Sequence, residues 1–471
     1  MRGSGFTDRQ RRIVLVMVLI IAAVFALLAG FIVTSWESFR QAVAAVTPSP
    51  AGTPQVAATH TPLPTPSPTP AATPMPEKGI WSQVRAARLF DQIAHQVETE
   101  RALSPRAEVP LSFLGKEETA SMLRQLYAER DLASELRPYA VLGLVPEQLT
   151  SIDVRVSAGI YVPEHEQLTV CTDEPEGDGN AQTLVAHAYI HALQDQHFDL
   201  EAVIARARTV DERLAAEALI AGDATLATAL YRYGDPASAD WTGLTELIVA
   251  AEQPRYSGEL TARTSWPGSE AWRRLERFAN WEGRMFVETL FERGGWDGVN
   301  RAYGDPPRST EQVLHPSRYL EERDEPRHVV VPDVGSVLGE GWEKGLEETL
   351  GEFVIGLYLD QVLPKETSWQ AAEGWDGDTL VVWEREGGRR VLIWRTVWDS
   401  SADAVAFAHS LATLTEQRHV PARPLSPPRG LEGQWWETGA GTVHVCRTAR
   451  YVLFVQAPDV NTVVNVVSDL P

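Results

Sequence analysis

Residues Ile13 to Val33 read IVLVMVLIIAAVFALLAGFIV, 21 consecutive side chains without a charge. A helix needs about 20 apolar residues to cross a hydrocarbon core, and lipid offers backbone polar groups no partner except one another. The run is therefore expected to be a transmembrane helix. Arg2, Arg9, Arg11 and Arg12 precede it and no basic residue follows until Arg40, so the positive-inside bias leaves the N-terminus cytoplasmic and the bulk of the chain extracytoplasmic. Its length exceeds the roughly 7 to 15 residues of a signal-peptide core, which favours an uncleaved anchor over cleavage at Ala42-Val43-Ala44.

Directly after this segment, Thr47 to Pro76 holds ten prolines and seven threonines with no full charge. Such a stretch has no apolar surface from which to build a core, and proline biases it to extended polyproline II. It is expected to be a disordered spacer reaching up to roughly 90 Å at about 3.1 Å per residue. Beyond residue 46 the chain carries 37 basic and 62 acidic residues, and the whole chain has four lysines. That balance argues against gripping phosphate backbones, so nucleic acid is excluded as a main partner. Cys171 and Cys446 are the two cysteines, too few for a disulfide framework and not spaced as a metal or redox pair; one bridge between them stays open.

Hydrophobic spacing divides the remainder. Ile80, Val84, Leu89, Ile93 and Val97 recur at helical intervals, and Lys116 to Glu129 is a second amphipathic run. Ala158 to Cys171 places two β-rich runs around Pro163-Glu164-His165-Glu166, a hairpin pattern. Helices are expected at Ala181–Phe198 and Asp211–Tyr233. Further on, strands at Thr379–Arg385 and Arg390–Val397 flank a turn, followed by a helix at Ser401–Thr415 and strands at 443–445 and 451–456. Trp375, Trp383, Trp394 and Trp398 read as core, with an aromatic glycan platform as the alternative. The fold class is α+β: tail and anchor at 1–46, spacer at 47–76, a mainly helical domain with a small sheet at 77–330, and a small α+β domain at 331–471.

His187 and His191 lie four apart on one predicted helix, so both rings project from one face and could share a metal ion. The string HAYIHALQDQHFDL from His187 to Leu200, with ALIAGDAT from residue 218, resembles a zincin-like, gluzincin-type family of membrane-anchored metallopeptidase proteins with the pattern HEYxHALQDQ…EGDA. The resemblance extends to the AGIYVPEHEQLTV hairpin, Gly294-Gly295-Trp296, Pro306-Pro307 and the STEQVLHP string ending at Pro316, covering most of the extracytoplasmic region. It implies that His187 and His191 are zinc ligands, that the residue after the first histidine is the general base, and that the first residue of the EGDA motif is the third ligand.

Both glutamates are missing: Ala188 occupies the base position and Ala221 the third-ligand position. Loss of a general base costs about 10² to 10⁴ in rate, and two imidazoles alone make a weak zinc site. Glu217, one turn before Ala221, is the candidate replacement ligand. Tyr189, Asp195, Asp223, Glu311 and His315 are candidates for the cleft or its supporting shell. The expected function is a non-catalytic, membrane-tethered pseudo-metallopeptidase that binds a peptide or envelope component, with no cofactor required and zinc at most weakly held. A zinc peptidase with rewired ligands (His187, His191, Glu217) and a structural envelope protein are the other readings the residues leave open.

Overall fold

The computed structural model describes residues 83–147, 149–173, 178–252, 255–258, 270–321 and 323–470. The anchor and spacer expected before residue 77 lie outside them. Residues from Pro76 onward form one compact unit, a mixed α+β fold in which helices gather in the first part and a large sheet in the second.

Helix α1 (Gln83–Arg101) is followed by β1 (Leu111–Leu114), α2 (Lys116–Glu129) and α3 (Leu132–Val141). Then come β2 (Leu149–Asp153), β3 (Gly159–Val162) and β4 (Gln167–Cys171). The expected hairpin is the antiparallel β3/β4 pair, turning through a short 3₁₀ segment at Pro163–His165. Strand β1 adds in parallel on the far side of β4 and leaves β3 at the edge.

The helical layer continues with α4 (Gly179–Phe198), α5 (Leu200–Ala205), α6 (Val210–Tyr233), α7 (Trp241–Glu252), β5 (Arg255–Gly258), which pairs with β2, and α8 (Glu270–Gly304). Thr209 caps α6 by accepting from the Glu212 amide, and Gly234 ends it at φ 74°. Among the described residues α6 is the helix long and apolar enough to cross a membrane, but it is 72% buried inside the protein. Its small residues explain this placement. At Gly222 an added Cβ would stand 2.2 Å from the Gly283 carbonyl oxygen, and at Gly283 one would stand 2.2 Å from that of Ala218, so α6 and α8 cross with backbones nearly touching.

Two short helices, α9 (Thr310–Leu314) and α10 (Pro316–Leu320), lead through α11 (Gly335–Leu338) to β6 (Trp342–Glu348), α12 (Gly351–Asp360) and α13 (Lys365–Ala372). Next are β7 (Trp375–Arg385), β8 (Arg389–Trp398), α14 (Ser401–Arg418), β9 (Arg423–Leu425), β10 (Gln434–Thr438), β11 (Gly441–Thr448), β12 (Tyr451–Ala457) and α15 (Val460–Asp469). The strands form one antiparallel sheet in the order β6-β7-β8-β12-β11-β10-β9. Strand alternation feeds two cores. Leu380, Val382, Trp394 and Phe454 face one cluster, while Val381, Trp383, Ile393 and Val455 face another that includes Val463 and Val466 of α15. Trp375, Trp383, Trp394 and Trp398 are all buried, as the core reading requires. Cys171 is buried in β4, Cys446 lies on β11, and no disulfide joins them.

The cluster containing Leu380 and Phe454 also contains Leu214, Phe278 and Phe286 of the helical part, so the two halves share a core. At their junction Asp378 accepts the Leu350 and Gly351 amides and the indole N–H groups of Trp375 and Trp394, stabilising the positive end of α12. Asp211 accepts the Thr310 amide and hydroxyl nearby. Burial raises its carboxyl to about 8, with Asp378 and Glu352 adding to the rise and the Thr310 bonds opposing it. The folded state therefore holds a proton that the unfolded chain releases near pH 4. The stability this contributes is complete below that point and is lost as pH rises toward 8. A tenfold difference in proton affinity between the two states is worth at most about 1.4 kcal/mol. Asp211→Asn is expected to flatten the decline in thermal stability between about pH 4 and pH 8; an unchanged slope would contradict the buried neutral acid.

Candidate functional site

A cleft of about 650 Å³ opens between edge strand β3, helix α4 and helix α6, with the end of α7 at its floor. The i,i+4 spacing sends His187 and His191 toward the same point, their rings edge to face with centroids 4.8 Å apart. Gly159 lets β3 lie directly on α4, because an added Cβ would come within 2.6 Å of the Val185 Cα. Ala188 and Ala221 both line this cleft, so the two positions where the family pattern has glutamates border the same space as the histidines.

Neither alanine is replaced by the expected acid. Glu217 also lines the cleft, where burial raises its carboxyl against the opposing charges of Arg213 and Arg130. It stands outside the group formed by the histidines. The carboxylate that joins them is Glu252, the last residue of α7, with Oε1 2.8 Å from His187 Nε2 and 3.4 Å from His191 Nε2. The three residues bring one ligand atom each to within 4.8 Å of one another. His187 is 3% exposed and Glu252 31%, so the histidine is embedded and the carboxylate meets the cleft.

Hydrogen bonds on the far side of each ring fix its tautomer. Thr228 Oγ1 donates to the Ala224 carbonyl and so accepts from His187 Nδ1–H at 2.8 Å. Gln194 spends its amide N–H groups on the Ile220 carbonyl and the Tyr303 hydroxyl, leaving Oε1 to accept from His191 Nδ1–H at 2.8 Å. With both Nδ1 atoms acting as donors, each ring turns its Nε2 toward Glu252, as a lone pair when the ring is neutral and as an N–H donor when it is protonated. Burial pulls His187 toward the neutral form, with Glu252 opposing that effect. Burial pushes Glu252 up, but the two histidines more than reverse this and hold its carboxyl well below the usual range.

Behind His191 the chain of bonds runs deeper. Tyr303 donates to Asp223, which Arg101 grips through two bonds at 2.6 and 2.9 Å; Arg101 and Asp223 are both fully buried. The Arg101 guanidinium also bonds Asn300 and lies over the Trp296 ring. Asp223 thus acts in the supporting network rather than in the cleft. Asp195 accepts the hydroxyl of Tyr161, a cleft residue, and the Leu200 amide, so it holds a wall in place. Tyr189 turns into the core and donates to Glu98. Glu311 and His315 do not line the cleft. They pack at the junction with the sheet, Glu311 against Arg318 and His315 against Glu352 of α12, because α9 and α10 turn their polar groups toward α12.

Residues 341–467, spanning the seven-stranded sheet and its helices, match the family described as "Domain of unknown function (DUF8575)". No curated protein and no solved structure matches the chain.

Sequence reasoning missed Glu252 because it lies 61 residues beyond His191 and outside every motif string. One local signal could have drawn attention to it. A carboxylate at the last position of a helix sits at the negative end of the helix dipole, at a cost of about 0.3 to 1 kcal/mol, and such a placement favours a nearby cation. Gln194 and Thr228, which orient the rings, carry no comparable signal in the sequence.

Proposed function

We propose that this chain is a membrane-tethered, extracytoplasmic pseudo-metallopeptidase whose cleft binds a peptide or envelope component without hydrolysing it. The observation that carries this reading is that Ala188 and Ala221 border the histidine cleft, where the zincin-like resemblance calls for a proton acceptor and an anionic ligand. A methyl group does neither. A peptide ligand is supported by the neighbouring edge strand β3, whose Gly159 to Val162 line the cleft; an edge strand can pair with an extended chain, while adjacent pockets read its side chains. The apolar walls provided by Leu123, Leu184, Leu200 and Ile220 suit aliphatic or aromatic groups on that ligand. Tethering follows from residues 13–33 and the spacer at 47–76.

The resemblance implies zinc, and the donor set at the cleft floor fits it: two imidazole nitrogens free to coordinate and one carboxylate. Zinc there would supply an electrophilic anchor for a ligand carbonyl or carboxylate. His187, His191 and Glu252 would hold it, while β3 and the apolar walls would align the bound chain.

The test incubates the full-length chain, supplemented with zinc, with a defined peptide pool and follows it by mass spectrometry. Peptides are expected to be retained and recovered intact, and Leu123→Trp, which fills the cleft, is expected to reduce retention at least about fivefold. New peptide termini appearing in a chelator-sensitive way would overturn the non-cutting reading. If they also vanished in Glu217→Gln, Glu217 would be the base.

A further inference from the structure

We infer that His187, His191 and Glu252 form a binding site for one divalent transition-metal ion, with Glu252 at the end of α7 supplying the negative charge that the motif position at Ala221 lacks. The inference deepens the cleft reading and rests on it only for the role of the bound ligand.

Both ring tautomers are set by their Nδ1 partners. Each Nδ1–H is committed to an acceptor whose own donor is already spent, Thr228 on the Ala224 carbonyl and Gln194 on the Ile220 carbonyl. With both rings neutral, two nitrogen lone pairs and a carboxylate oxygen therefore converge with no N–H between them. A lone pair 2.8 Å from a carboxylate oxygen repels it unless a positive charge intervenes. A single proton would serve one ring, and at 3.4 Å the second ring would gain little from it. A divalent ion serves all three atoms.

Distances are consistent with this. Ligands about 2.0 to 2.2 Å from a tetrahedral zinc ion lie about 3.3 to 3.5 Å from one another. The His191–Glu252 separation of 3.4 Å already has that value. The His187–Glu252 separation of 2.8 Å has to open by about half an ångström, which a partly exposed side chain at a helix end permits. Imidazole nitrogens select zinc, cobalt or iron over magnesium or calcium, which prefer all-oxygen sites. Bonds from Nδ1 to Thr228 and Gln194 are the supporting contacts that metal-binding histidines usually make.

Full-length chain, stripped with chelator and dialysed, is titrated with zinc chloride by calorimetry and with cobalt chloride by visible absorption. One ion per chain is expected, with a cobalt spectrum of low-symmetry, four- or five-coordinate type that zinc abolishes. Glu252→Ala and the isosteric Glu252→Gln are each expected to weaken affinity at least about thirtyfold, and Gln194→Met about tenfold, with circular dichroism unchanged. Glu217→Gln should stay within about threefold of the parent. Absence of binding by a folded parent chain, or affinity unaffected by both Glu252 variants, overturns the assignment. Peptide hydrolysis by a chain that binds zinc as described would instead overturn the non-cutting reading and leave the metal site standing.

Discussion

Arg101→Ala is expected to cost about 3 to 5 kcal/mol of stability, the usual consequence of removing one partner from a buried ion pair. Arg101 and Asp223 are both fully buried, and Asp223 has Tyr303 as its other side-chain donor. Removing the guanidinium leaves an ionised carboxylate in a core lined by Phe198, Trp296 and Tyr303, where the charge must either be neutralised or drag the helices apart. Thermal unfolding should drop by roughly 5 to 10 °C. The double change Arg101→Met with Asp223→Leu should recover more than half of that loss, since replacing both members with apolar groups removes the stranded charge. A single variant that loses less than about 1 kcal/mol would show the pair to be unimportant. The effect is also expected to reach the cleft. In the double variant Tyr303 loses Asp223 as its acceptor, so Gln194 loses a fixed partner and His191 is freer to turn.

A second large loss is expected from Gly222→Val. The added side chain would be built toward the Gly283 carbonyl, 2.2 Å from its Cβ position, and the obstacle is helix backbone, which cannot rotate away as a side chain does. Overpacking of this kind costs about 3 kcal/mol or more when two helices must separate. Gly304→Ala is the comparison, since an added Cβ there meets nothing within 4 Å; it should change stability by less than about 0.5 kcal/mol. If the two variants unfold at the same denaturant concentration, the close crossing of α6 and α8 is not a constraint on this fold. Gly222 adjoins Ala221, a wall of the cleft, so a parted crossing should also weaken metal binding. Gly222 and Asp223 therefore each have a structural explanation: the glycine permits the crossing and the aspartate anchors Arg101 and Tyr303.

Local patterns in the sequence led to most elements of the described region. The helix at Lys116 to Glu129 and the hairpin around Pro163 occur where periodicity and turn residues put them. Strand alternation in Thr379 to Arg385 extends back to Trp375, because Trp375 and Asp378 are held by the buried bonds that cap α12. Less legible were β1 and β6, a short strand and a charged one, whose pairing partners lie far along the chain. At the candidate site the histidine pair was legible because helical spacing alone puts both rings on one face. Glu217 was chosen as the nearest acid on the motif helix; Glu252 reaches the rings only because α7 packs against α4 after a long intervening stretch.

What residue order determined by itself has a range of a few residues: the helix that pairs two imidazoles, the turn around Pro163, and the alanines at positions 188 and 221. Tertiary structure decided which carboxylate meets those imidazoles, which tautomer each ring adopts, and that Glu311 and His315 serve the sheet junction instead of the cleft. The reason is physical. Side-chain spacing along one helix is set by its 3.6-residue turn, whereas a contact between helices depends on how whole faces close over a shared core, and that closure is a property of the entire chain.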